Sequence, residues 1–149
     1  MFHVKHNDII TADIIDKELY KLAMKSFNNN EIPVGAIVIY NNKIIGRGYN
    51  NRQSKNNVCG HAEINAIMSA EKKIKDWRLN DCYIISTLKP CDMCSKIIET
   101  ARIRDVYYIL NQKNVEINKN LKYLEYHFPG NNKTDKYEIL LTSFFKNLR

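Results

Sequence analysis

Four residues in two short clusters could do chemistry together: His61 and Glu63 in G-H-A-E, and Cys91 and Cys94 in P-C-D-M-C. On a helix, positions three apart share a face, so both cysteine sulfurs can reach one ion. Pro90 fits a helix start, which puts both cysteines in the first turn. There the backbone N–H groups are unpaired and the helix dipole is positive. Both effects favour thiolate over thiol, and the thiolate binds metal. A lone C-x-x-C is still ambiguous: it also suits a thioredoxin-type redox pair, half of a zinc ribbon or a chance pair on a helix. The chain has no second C-x-x-C, which counts against a closed four-cysteine site.

His61 stands out because Glu63 follows two residues later. In a regular helix, positions two apart diverge. At a helix start, His61 can be the non-helical cap while Glu63 begins the turn, and both can face one cavity. Two cysteines and one histidine leave zinc an open fourth position, as in catalytic rather than structural sites. Zinc so held lowers the pKa of bound water to about 7, and Glu63, a carboxylate outside the ligand set, can take that proton. His3, His6 and His127 lack such a neighbour and read as surface or hydrogen-bonded residues.

The elements that must position these groups follow from periodicity. Leu19, Leu22, Ala23 and Phe27 recur at helical spacing within Asp13–Asn28, and the asparagines at 28–30 end that helix. PVGAIVIY is β-branched and apolar, the pattern of a buried strand. Asn41-Asn42 is turn chemistry, with KIIGRGYN as the hairpin partner. Asn51–Gly60 reads as a loop and HAEINAIMSAEKKI as a helix. Asp81–Thr87 reads as a strand, CDMCSKIIETARI as a helix and Asp105–Leu110 as another strand. Asn111–Lys133 is polar, with a short helix expected around Leu121–Phe128. KYEILLTSFFKNLR closes the chain as an amphipathic helix. This order implies an α/β fold, a mixed sheet with helices on its faces.

A chain of 149 residues is one domain's worth, here 1–149. No run suits a membrane span, and the N-terminus lacks the apolar stretch of a signal peptide, so the expected location is cytoplasmic. With nothing to suggest secretion, the four cysteines (Cys59, Cys82, Cys91, Cys94) favour metal or redox chemistry over disulfides. The formal charge of +7 suits a phosphate-bearing partner. The abundance of Lys, Asn and Ile also fits an AT-rich genome, so charge alone argues weakly.

The two motifs together are similar to the zinc deaminase signature, and the chain resembles the bacterial tRNA-specific adenosine deaminases. EIPVGAIVIYNNKIIGRGYN resembles the family's first hairpin, GHAEINAI and TLKPCDMC its two zinc motifs, and WRLNDCYIIST the strand into the second motif. LLTSFFKNLR resembles its closing helix with paired aromatics. The resemblance implies a three-layer α/β/α cytidine deaminase-like fold with a mixed central sheet and one Zn2+ per subunit. It implies His61, Cys91 and Cys94 as ligands and Glu63 as proton shuttle. It further implies a homodimer that converts the wobble adenosine in the anticodon loop of an arginine tRNA to inosine. Asn50 and the backbone N–H groups of Ala62 and Cys91 would meet the base, and Phe144, Phe145 and Arg149 the anticodon loop. Without the resemblance, Asn50 is an ordinary turn residue and the Phe pair a core pair.

Two departures concern substrate identity. Lys89 replaces the family's usual glutamate before Pro-Cys. After the fourth strand, Gln112 takes an aspartate's place and the family's glycines are missing. Three alternatives follow: a deaminase of free guanine, cytosine or deoxycytidylate; a non-catalytic partner subunit, which the presence of Glu63 disfavours; and an inactive zinc-stabilised RNA-binding module, which the missing fourth ligand disfavours.

Overall fold

A computed structural model describes residues 10–130 and 133–148. The elements in chain order are α1 (Ala12–Asn28), β1 (Gly35–Tyr40), β2 (Lys43–Tyr49), α2 (Ala62–Ile74), β3 (Tyr83–Leu88), α3 (Asp92–Thr100), β4 (Asp105–Leu110), β5 (Lys122–Glu125) and α4 (Asp135–Lys146). The sheet order is β2-β1-β3-β4-β5. β1 runs antiparallel to β2 and β3, while β3, β4 and β5 are mutually parallel, so the sheet is mixed as expected.

Alternation along the strands divides the core in two. Ala36, Val38, Ile84 and Val106 face α2 and α3, against Ala62, Ala66, Ala70 and Ile98. Ile37, Ile39, Ile85 and Ile109 face α1 and α4, against Ile15, Leu19, Leu22 and Tyr137. Both faces are covered, which makes the three-layer α/β/α sandwich. No helix among the described residues is long and apolar enough to cross a membrane.

Local chemistry sets the boundaries. Thr11 caps α1, its hydroxyl accepting the Ile14 N–H at 3.2 Å. Asn41 and Asn42 both take positive φ (51° and 62°), the conformation of a tight hairpin turn. Helix α3 stops earlier than CDMCSKIIETARI suggests. Arg102 turns left-handed at φ 74°, and the N–H groups of Arg102 and Ile103 fold back onto the Glu99 and Ile98 carbonyls.

The short helix expected around Leu121–Phe128 is corrected to a strand. Lys122–Glu125 pairs in parallel with β4 from Asp105 to Tyr108. Side chains there alternate with period two: Leu121 and Tyr123 face the α2/α3 side, Tyr126 and Phe128 the other. The free edge of β4 offered the backbone partners, and short strands of this kind depend on such tertiary pairing.

One close approach fixes the helix that carries His61 and Glu63. A Cβ added to Gly48 would lie 2.2 Å from the Ala62 carbonyl oxygen, and one on Gly46 would lie 2.2 Å from that of Ala66. Glycines on β2 and the alanine stripe on α2 let the helix rest directly on the strand. The first turn of α2 therefore has little freedom to shift.

Candidate metal centre and active site

The two clusters meet at adjoining helix starts. His61 is the N-cap of α2, with extended backbone (φ −96°, ψ 147°), and Cys91 is the N-cap of α3 (φ −70°, ψ 174°). Neither cap side chain bonds its own helix, so both are free to turn toward each other. His61 Nδ1 lies 3.5 Å from Cys94 Sγ and 3.9 Å from Cys91 Sγ. A tetrahedral zinc with ordinary Zn–N and Zn–S bonds requires nitrogen–sulfur separations of about 3.6 Å. The donors therefore fit one zinc ion, and no other such group of three occurs among the described residues.

Hydrogen bonding and burial act unevenly on the two thiols. Hydrogen bonds from Cys94 and His61 pull Cys91 down to about 4. Cys94 moves the other way, raised by its hydrogen bond to Cys91 and by burial. The first thiolate forms easily, and the second needs a cation beside it, which a metal ion supplies. His61 is raised above its ordinary value by its hydrogen bond to Cys91. All four cysteines are free. Cys59 and Cys82 lie outside the donor group, and burial pushes the Cys82 thiol up to about 11.

Glu63 sits in the first turn of α2, 5% exposed. Burial pushes its carboxyl up to about 7, the range in which one group can both accept and return a proton near neutral pH. His61 is the non-helical cap that the sequence suggested, and Glu63 follows in the first turn; His61 lines a cleft, and Glu63 is buried.

Asn50 is no ordinary turn residue. Its Nδ2 donates to the Ile32 carbonyl at 2.9 Å, and its Oδ1 accepts the Ala62 N–H at 2.8 Å. It joins the segment before β1 to the start of α2. Any substrate contact by Ala62 N–H would share the hydrogen that Asn50 already accepts.

A cleft of about 370 Å³ opens here, lined by Asn50, Arg52, Gly60 and His61 on one side and Phe144, Phe145 and Leu148 on the other. The two phenylalanine rings meet edge to face at 5.4 Å. Phe145 is 50% exposed, so the pair forms a rim rather than core. Arg149, His3 and His6 lie outside the described residues. His127 is exposed.

The two departures from the family pattern are neighbours. Gln112 Nε2 donates to the Lys89 carbonyl at 3.0 Å. The Lys89 ammonium lies over the rings of Tyr123 and Tyr108, at 5.1 and 5.5 Å from their centroids. These rings stabilise the cation in the glutamate's place. The altered loop is tied to the site as well, through the Glu116 N–H on Asp92 Oδ1 at 2.8 Å.

Sequence reading missed Glu31. It is 3% exposed and accepts the N–H groups of Gln53 and Ser54 at 3.1 and 2.8 Å, pinning the loop that leads to His61. Asn65 was missed too, its Nδ2 donating to Tyr49 O and Asn51 Oδ1, each at 2.9 Å. The only local signal for Glu31 is a carboxylate set against the apolar run IPVG.

Comparison with known proteins agrees with this geometry. Residues 14–110 match the model of the cytidine and deoxycytidylate deaminase zinc-binding region. The tRNA-specific adenosine deaminase of Rickettsia bellii is 36% identical over 143 residues, covering 89% of this chain and 99% of its own. Among solved structures, a tRNA:A34 deaminase studied for A-to-I editing at the wobble position superposes with a TM-score of 0.63 at 26% identity, covering 74% of this chain and 95% of that one. The guanine deaminase of Bacillus subtilis superposes with a TM-score of 0.62 at 32% identity, covering 68% and 66%. The zinc-type donor set, the buried glutamate in the first turn of α2 and the near full-length likeness converge: the chain belongs to the cytidine and deoxycytidylate deaminase zinc-binding family, among its tRNA-specific adenosine deaminases.

Proposed function

We propose that this chain, acting as one deaminase domain over 1–149 in the cytoplasm, hydrolyses the wobble adenosine of a tRNA, an arginine tRNA in particular, to inosine and ammonia. The observation that carries the reading is the buried Glu63 beside the His61–Cys91–Cys94 donors, of which His61 lines an aromatic-rimmed cleft. The likeness to the R. bellii enzyme over nearly its whole length supports the substrate.

His61 Nδ1 and the two cysteine sulfurs would hold one zinc ion, which supplies a water nucleophile near neutral pH. Glu63 takes a proton from the water as its oxygen adds to C6 of the flipped-out adenine. Glu63 then delivers that proton to ring N1. It next carries the second water proton to the departing amine, so one water is consumed and one ammonia leaves. Asn50 orients the base and holds the start of α2, with the Ala62 N–H beside it. N–H groups at the start of α3, Cys91 among them, offset charge on the base. Phe144 and Phe145 stack on nucleotides flanking the target, and Arg149 meets the anticodon-loop backbone. Two copies act as a homodimer.

The likeness to guanine deaminase favours a second reading, hydrolysis of free guanine. One experiment separates the two: incubate the purified protein with an arginine tRNA bearing wobble adenosine and sequence the product, while assaying guanine, cytosine and deoxycytidylate for ammonia release. Inosine at the wobble position is the expected result. Turnover of a free base with that position unchanged would overturn the tRNA reading.

A further inference from the structure

Helix α4 is fastened at one end and works at the other. Its buried residues are Tyr137 and Leu140, both in its first half. Its second half carries Phe144 and Phe145 to the cleft, and Leu148 follows in the turn past its end, with Phe145 and Leu148 50% and 66% exposed. From Tyr137 to Phe145 the helix rises about 12 Å. Little apolar burial fixes that far end.

The fastened end is a polar clasp. Tyr137 is 2% exposed, and its one hydroxyl hydrogen is shared between Asp16 Oδ1 (2.6 Å) and the Asp16 carbonyl (2.9 Å). Asp16, 6% exposed, also accepts the Lys136 ammonium at 2.8 Å. That ammonium lies over the rings of Tyr20 and Tyr137, 4.6 and 5.5 Å from their centroids. Lys133 pairs with Asp13 one turn back on α1, and the Tyr137 ring stacks on Phe128 with centroids 6.1 Å apart.

A partly buried ion pair such as Lys136–Asp16 gains little over an apolar contact in stability, because desolvation and screening consume most of the attraction. Its direction matters more. An apolar contact lets a helix turn about its axis, whereas a phenol held by a carboxylate and a carbonyl does not. Tyr137, Leu140 and Phe144 fall on one helical stripe of α4. Fixing Tyr137 therefore fixes which way Phe144, and Phe145 beside it, face.

We infer that the Asp16–Tyr137–Lys136 clasp is a positioning device for substrate: it sets the rotation of α4 and so holds the Phe144–Phe145 rim over the cleft. This rests on the reading of that rim as an RNA contact.

The test uses the zinc-loaded full chain and an anticodon stem-loop with adenosine at the wobble position. Tyr137→Phe removes both hydroxyl bonds and keeps the stacked ring. It should raise KM about tenfold and leave kcat and zinc content unchanged. Asp16→Asn keeps an acceptor for the phenol, loses the ion pair and should raise KM less. Because the clasp acts through the rim, Tyr137→Phe added to Phe144→Ala/Phe145→Ala should give the KM of the rim variant alone. An unchanged KM in Tyr137→Phe, multiplied losses in the combination, or a fall in kcat with zinc loss each overturns the proposal. If Phe144→Ala/Phe145→Ala itself leaves KM unchanged, rim and clasp fall together. Conversion of the wobble adenosine by the unaltered protein, read in the same assay, stands or falls separately.

Discussion

The start of α2, whose His61 cap meets the start of α3, and the far end of α4 line the same cleft and are built on opposite principles. At the helix starts, glycine and alanine bring backbones into direct contact, Asn50 joins two segments, and Glu31 pins the preceding loop. At the far end of α4, two phenylalanines stand on a half-exposed helix whose only buried anchors lie one to two turns back. The difference follows the work. Metal donors and a proton carrier must be held to within a fraction of an ångström before substrate arrives. On the proposed reading, the rim stacks on an RNA loop that itself adjusts, so orientation suffices there and rigidity would add little.

If that contrast is sound, changes among the donors should be all-or-nothing and changes along the rim graded. The largest effect is expected from Cys91→Ala, Cys94→Ala or His61→Ala, which should lower the zinc-to-protein ratio by elemental analysis and abolish turnover. Intact zinc in these variants would remove the donor assignment. Glu63→Gln should keep zinc and lower kcat by about 10³-fold; loss of zinc instead would make Glu63 a structural residue. Asn50→Ala releases both the Ile32 segment and the start of α2, and should lower kcat/KM by about 10²-fold with zinc retained. A change confined to KM would mean that Asn50 binds the base but does not position the helix. Smallest is Phe145→Ala, which loses one stacking surface and should raise KM for the stem-loop about tenfold with kcat unchanged. An equal fall in kcat would place the rim inside the rigid part of the site and erase the contrast.

Much of this was legible in the sequence because the signals are local. Helical spacing in α1 and α2, the Asn41-Asn42 turn and the β-branched run of β1 report the immediate neighbourhood of each residue. So do Cys91 and Cys94, three apart behind a proline. The segment Lys122–Glu125 was misread because a short strand is made by its partner, and nothing within four residues announces the free edge of β4. Asn50 and the Phe pair could have been turn and core, and only their surroundings decide otherwise.

The sequence by itself determined the donor types, the presence of a carboxylate outside the ligand set and the alternation that covers a mixed sheet on both faces. These are properties of residue type and near spacing. The tertiary structure alone decided that His61 Nδ1 and two sulfurs separated from it by thirty residues or more come within bonding range of one ion. It also decided that Glu63 is buried enough to hold its proton near neutral pH, and that Asp16 fastens a helix whose partners lie 120 residues away in sequence. The physical reason is that donor geometry, desolvation and long-range hydrogen bonds depend on which surfaces meet when the chain closes on itself, and one-dimensional spacing does not record that.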